Sequence, residues 1–285
     1  MTLPPDRASL PDRAPPPDLA LAHCTYPEVA ARMADPRPKI AIIPIGSTEA
    51  HGPHLPLNTD SLIGAGVAAR ATAVLHARGF IALHFPPIHY AVTDWAGEFA
   101  GSVSLAMGTA IDLVLGTCRA ARAMGFDEVV IFTAHLEPGH IASLREVVRR
   151  YEGEAGKPLV FPDITRRALA TRLTPEYQSG SCHAGQYETS LILALRPDLV
   201  RWEVARALPE HTVPLAERIK DGARDFRECG MDQAYCGAPA AATVAEGEAS
   251  LAVLTNLVVE AVLAAIGQGP AVLHQSGTNL PGPNR

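Results

Sequence analysis

The chain contains no run of lysine or arginine, no Cys-x-x-Cys pair and no internal repeat. It carries 24 basic and 30 acidic residues, for a formal charge of -6, and so has no basic stripe to track a phosphate backbone; nucleic acid is not an expected partner. The five cysteines (Cys24, Cys118, Cys182, Cys229 and Cys236) are odd in number. Together with their spacing this argues against a disulfide framework and a thiolate zinc site, and it suits a reducing cytoplasm. The first 20 residues hold six prolines and no continuous apolar stretch. They read as neither a signal peptide nor a membrane span, and no membrane partner is expected.

What remains is a chain of 285 residues, 47% hydrophobic, enough to bury one sizeable core. We expect a proline-rich arm over 1–22, extended or disordered, a single domain over 23–268 and a tail over 269–285. Within the domain, the segments 39–46, 80–88, 128–134 and 158–164 are short, rich in Val, Ile and Phe, and apolar on both faces. They predict buried strands of a mostly parallel sheet. Helical spacing fills the intervals at 60–79, 108–125 and 138–153, and returns at 184–197 and 246–267. Strands and helices alternate, which predicts a layered α/β fold.

In such sheets ligands collect where strands end. Directly after the first strand, "IGSTEAHGPHLPLNTD" holds Glu49, His51, His54 and Asp60. If the backbone stays extended, the period of two puts Glu49 and His51 on the same side. Asp60 can either cap the helix that follows or turn toward the same point. The third strand ends in "FTAHLEPGH", where His135 and Glu137 repeat the alternating pair. A third segment, "SGSCHAGQYETSLILAL", places His183 just before a helix and Glu188 in its first turns, either facing the strand ends or simply suited to a helix N-terminus.

These three segments, in this order, resemble the signatures of the creatininase (creatinine amidohydrolase) family, over roughly residues 38–265. The resemblance implies a three-layer α/β/α fold with a mostly parallel central sheet and two divalent ions per subunit at the strand ends. Asp60 would bridge the ions, Glu49 and His135 would complete one site, and His51 and Glu137 the other. Oxygen and nitrogen donors of this kind suit Zn(II) or Mn(II), with Fe(II) also compatible. His183 would pass a proton to the departing nitrogen, and Glu188 would be a ligand, an orienter of one, or a proton carrier.

The expected activity is therefore metal-dependent hydrolysis of a C–N bond in a small molecule, a cyclic amide or formamide, by activated water. The alternatives are a peptidase trimming a short peptide, as in the family's mycofactocin branch, and a non-catalytic metal-binding protein. Creatinine itself is not expected. The tryptophans that enclose its ring in creatinine-hydrolysing members have no counterpart in 139–182, Cys182 replaces a Glu, and Leu136 replaces a Tyr. Thr93 and Trp95 lie in a segment that lines the pocket of relatives, so they and the altered positions Leu136 and Cys182 are candidate substrate contacts. His54 is expected to support the ligands, and His140 to sit on a helix surface. Relatives form rings, so a homo-oligomer, a hexamer first, is expected.

Overall fold

In the computed structural model, which describes residues 18–268, the first apolar run forms strand β1 (Lys39–Ile45) at the centre of a parallel sheet. β2 (Ile81–His84) pairs on one side and β3 (Glu128–Thr133) on the other, so that Ile42 lies beside both His84 and Val130. Side chains alternate across a strand, and here each face meets a core. Ile40, Ile42, Ala82, Val130 and Phe132 enter one cluster; Ala41, Ile43, Leu83, Val129 and Ile131 enter the other. A strand covered on both faces gains nothing from polar alternation, which is why these segments are continuously apolar.

The helices run in chain order as α1 (Tyr26–Ala34), α2 (Thr59–Ala77), α3 (Met107–Met124), α4 (Pro138–Ala155), α5 (Arg167–Ala170) and α6 (Pro175–Ser179). They continue as α7 (Gln186–Leu195), α8 (Trp202–Ala205), α9 (Leu215–Lys220) and α10 (Val244–Ala265). α2, α7 and α10 pack together over the first face of the sheet, and α3 with α4 covers the second. This is the expected three-layer α/β/α arrangement. α10 is long and apolar enough to cross a membrane, yet Leu251, Leu254, Leu257, Val258 and Val262 are buried in the core shared with α2 and α7.

Some expectations need correcting. The segment 158–164 is not a regular strand: Val160 makes a single parallel bridge to Val130. Pro158 and Pro162 flank that bridge and have no N–H to extend a ladder. β2 stops at His84 for the same reason, ahead of Pro86 and Pro87, although Ile88 returns to bridge Ile45. α1 was not expected; it starts at a capping box in which the Glu28 side chain accepts from Thr25 N at 2.6 Å. Of the predicted arm, residues 18–22 are described, and Ala20 bridges His84 at the edge of the sheet. Residues 1–17 and the tail 269–285 lie outside the described residues.

The functional geometry depends on a close approach at the end of β1. A Cβ on Gly46 would lie 2.6 Å from Ser61 Cα, so only glycine lets the first turn of α2, with Asp60 in it, reach the strand end. Backbone lies on both sides of that contact and cannot simply rotate away. Gly46→Ala should therefore cost about 1–3 kcal/mol, as over-packing does. Urea unfolding of the purified protein would measure it, and an unchanged midpoint would show that α2 can shift freely.

Candidate metal centre

Four segments converge at the C-terminal ends of the strands. The loop after β1 brings Glu49 and His51, the first turn of α2 brings Asp60, the end of β3 brings His135, and the first turn of α7 brings Glu188. Each of these five residues is at most 4% exposed. Sequestering three carboxylates from water is costly unless something positive lies among them.

The histidines are oriented by backbone carbonyls. His51 Nδ1 lies 3.2 Å from Glu49 O, and His135 Nε2 lies 2.8 Å from Val92 O. A carbonyl only accepts, so in each ring that nitrogen carries the hydrogen and the other presents a lone pair when the ring is neutral. His135 Nδ1 then faces Glu49 Oε1 at 2.9 Å and Asp60 Oδ2 at 3.1 Å. His51 Nε2 faces Asp60 Oδ1 at 3.3 Å, Glu188 Oε2 at 3.7 Å and Glu49 Oε1 at 3.9 Å. A lone pair set against carboxylates at these distances repels them unless a cation or a proton sits between.

Asp60 sends one oxygen to each imidazole, with Ser47 Oγ donating to Oδ2 at 2.7 Å. Glu49 Oε2 has no hydrogen-bond partner among the described residues, and neither has His51 Nε2. Unsatisfied donor atoms of this type, with second nitrogens held by carbonyls, are the pattern of a metal site. Among the described residues, three groupings of side chains have donor atoms within 4.8 Å of one another: His51, Asp60 and Glu188; Glu49, His135 and Glu137; and Glu49, His51 and His183.

The charges answer to the same geometry. Burial opposes a charge on His51, but Asp60, Glu188 and Glu49 outweigh it and push its pKa up to about 10. His135 is raised well above the ordinary histidine value by Glu49 and Asp60, also against burial. Despite burial, the two imidazoles hold the Asp60 carboxyl well below the usual carboxylate range. Glu188 is pushed up to about 8, chiefly by burial. In the absence of metal, protons on the histidines are what neutralise the carboxylates.

Glu137 groups with Glu49 and His135, where His51 was the partner expected for it. Its two oxygens accept from Asp94 N at 3.1 Å and Trp95 N at 3.2 Å. It approaches His135 from the Nε2 side, at 4.0 Å, and burial moves its pKa up to about 7. Glu188, not Glu137, joins Asp60 and Glu49 in facing His51. His183 is half-buried, with Nε2 3.0 Å from Ala50 O and its ring centroid 4.4 Å from that of His51. Burial and the neighbouring His51 hold its pKa well below the ordinary value.

His54 is fully buried and meets Thr189 Oγ1 of α7 at 2.9 Å. His140 is not the surface residue expected: it is 1% exposed, 3.1 Å from Thr133 Oγ1, with its ring 4.8 Å from His135. Among the candidate substrate contacts, Thr93 is fully buried and donates to Ala91 O at 3.3 Å, and Cys182 is buried in the core under α7. Leu136 packs against that core from a half-buried position. Trp95 is half-buried too, its ring edge-on to Phe226 at 6.1 Å. Sequence reasoning missed Ser47, Phe226 and the carbonyls of Glu49, Val92 and Ala50. Ser47 lies inside the first motif and could have been found; a carbonyl has no side-chain signature, and Phe226 lies far along the chain from every motif.

The family model for creatininase, described as creatinine amidohydrolase, matches residues 22–262. The mycofactocin precursor peptide peptidase of Mycolicibacterium smegmatis is 33% identical over 76% of this chain and 81% of its own. The creatinine amidohydrolase of Pseudomonas putida is 29% identical over 67% of this chain and 76% of its own. Among solved structures, a manganese creatininase superimposes with a TM-score of 0.64 and a zinc–zinc creatininase variant with 0.65. Each is 22% identical, covering 87% of this chain and 98% of the other, a likeness of fold. The match across almost all of the described residues, together with the convergent carboxylates and imidazoles, makes this chain a member of the creatininase family of amidohydrolases.

Proposed function

We propose that this protein hydrolyses the amide C–N bond of a short peptide with two divalent ions held at the strand ends. The observation that carries the reading is the pair of buried imidazoles, each with one nitrogen committed to a backbone carbonyl and the other aimed at carboxylates. Glu49, Asp60 and His135 would hold one ion, and His51, Asp60 and Glu188 the other. Asp60 would be shared through its two oxygens. Glu137, with both oxygens on backbone amides, would stand beside Glu49 and His135 at the edge of the first site. The donor set suits Zn(II) or Mn(II), the metals named for the creatininase structures above.

Bound ions of this kind acidify water toward neutrality and polarise an amide carbonyl. The chain's own part is to hold them, to exclude bulk water and to manage the proton. His183 carries its hydrogen on Nε2 for Ala50 O, which leaves Nδ1 to take a proton as water adds to the carbonyl and to return it as the C–N bond breaks. The nitrogen then departs as a neutral amine.

The greater likeness to peptidases, 33% against 29% identity, supports a peptide substrate, as does the lack of tryptophan in 139–182, where a flat ring would need a clamp. A second reading, a small cyclic amide, is favoured by the likeness to the creatinine amidohydrolase of Pseudomonas putida. Metal content measured beside hydrolysis of a panel of short peptides and cyclic amides tests both. Cleavage of cyclic amides alone would reverse their order, and a protein that takes up no divalent ion would end the proposal.

Asp60→Ala should lose ions and activity together, because one carboxylate serves both sites. His183→Ala should keep its ions and lose about 10²–10⁴ in turnover, the contribution of a positioned acid or base. Metal analysis beside kcat separates the two outcomes, and an emptied His183→Ala site would make that residue a ligand. Proton competition gives a further expectation. His51 holds its proton up to about pH 10 in the metal-free site, against an ordinary 6.5, so between these values an incoming ion must displace it. Affinity for Mn(II) should rise with pH across that window, and calorimetry in buffers of different ionisation enthalpy should register proton release. Uptake with no proton release would contradict the arrangement.

A further inference from the structure

Two rings lie against that of His183. His51 is 4.4 Å away between centroids at 36° between planes, and Phe226 is 4.4 Å away at 38°. Phe226 is 7% exposed and belongs to none of the motifs that identify the site. Its amide donates to Trp95 O at 3.0 Å, its carbonyl accepts from Met231 N at 2.8 Å, and its ring meets Trp95 edge-on. Next to it, Arg227 pairs with Glu98 at 3.0 Å and lies over the Phe99 ring at 4.9 Å.

The chain then turns, with Ala234 in the left-handed region at φ 51°, and returns to the site. Ala234 O accepts from Gly52 N at 2.7 Å, and Cys236 N donates to His183 O at 2.8 Å. One segment, 226–236, is thus tied by backbone hydrogen bonds to three loops: the one that carries Glu49 and His51, the one whose amides hold Glu137, and the one that carries His183. A left-handed alanine is kept only where its surroundings insist on it.

Resting on the reading of His183 given above, we propose that Phe226 is a positioning residue, which with its strap 226–236 fixes the plane of the His183 ring and so keeps Nε2 on Ala50 O. A half-buried imidazole with one hydrogen bond can turn over about χ2, exchanging Nδ1 with Cδ2 and Nε2 with Cε1. The aromatic face of Phe226 opposes that rotation by contact over the whole ring. If the ring turned, Cε1 would meet the carbonyl, Nε2 would lose the hydrogen bond that keeps its proton in place, and Nδ1 would point where Cδ2 had been. Trp95 extends this wall, so the pocket's aromatic side is built from two distant segments where the creatinine-hydrolysing relatives use the segment before His183.

The test reads the histidine directly. In zinc-loaded full-length protein with 15N-labelled histidine, solid-state NMR of His183 should show a single tautomer, protonated on Nε2. Phe226→Leu should turn that signal into a mixture of tautomers with zinc content unchanged, and Phe226→Tyr, which keeps the ring face, should restore the single form. The His51 and His135 signals report whether the site stays folded, and Phe226→Met serves if the leucine variant does not fold. On a substrate cleaved by the wild type, kcat of the leucine variant should fall about 10-fold or more, part of the contribution of a positioned acid or base, with KM little changed. An unaltered single tautomer in Phe226→Leu or Phe226→Met would overturn the inference. Turnover unaffected by His183→Ala would instead remove the role assigned to His183, while the tautomer measurement still judges Phe226.

Discussion

Everything at the site follows from burying three carboxylates beside two imidazoles that cannot turn away. Glu49, Asp60 and Glu188 would repel one another at the ends of the strands, and water is kept out. The backbone carbonyls of Glu49 and Val92 each claim one histidine nitrogen, so the other has no choice but to face the carboxylates. The cluster is stable only when positive charge occupies it, as protons or as metal ions. Binding strength and pH response therefore share one cause.

The fold makes that crowding possible by bringing helix starts to strand ends. Asp60 and Glu188 both lie in the first turn of a helix, where unpaired amides favour an anion. Ala184 N, just ahead of α7, donates to Glu188 Oε2 at 2.7 Å, while the first amides of α7, those of Gln186 and Tyr187, donate to Glu176. α2 and α7 are in turn fixed by their apolar faces against α10 and the sheet, so the positions of two carboxylates are decided by core packing. Gly46 lets the strand and α2 approach closely enough for Asp60 to span both imidazoles.

Around this centre the loops are secured to one another, not only to the sheet. Glu137 holds the amides of Asp94 and Trp95, Trp95 O holds Phe226 N, and Cys236 N holds His183 O. The result is a continuous path of hydrogen bonds and ring contacts from beside His135 round to His183. Preorganisation of this kind is what general acid–base chemistry needs, because a proton is transferred well only between atoms already in place.

Much of this was legible in the sequence. Continuous apolar runs identified a sheet buried on both faces, and the clustering of Glu, His and Asp at their ends identified the candidate metal centre, because both depend on local composition and spacing. The fourth run, 158–164, failed as a strand because its prolines remove the donors a ladder needs. The partner of each ligand was not legible. Glu188 and Glu137 stand in motifs of equal appearance, and only the packing of α7 against α2 sets Glu188 beside His51, while the amides of residues 94 and 95 hold Glu137 near Glu49 and His135. His140 reads as a surface position but lies buried behind His135, since α4 turns that face to the strand end. Phe226 has no local mark at all. Residue types and spacing determined which chemistry this chain can perform; which carboxylate faces which imidazole, and what holds His183 in place, were decided by contacts between segments distant in the chain.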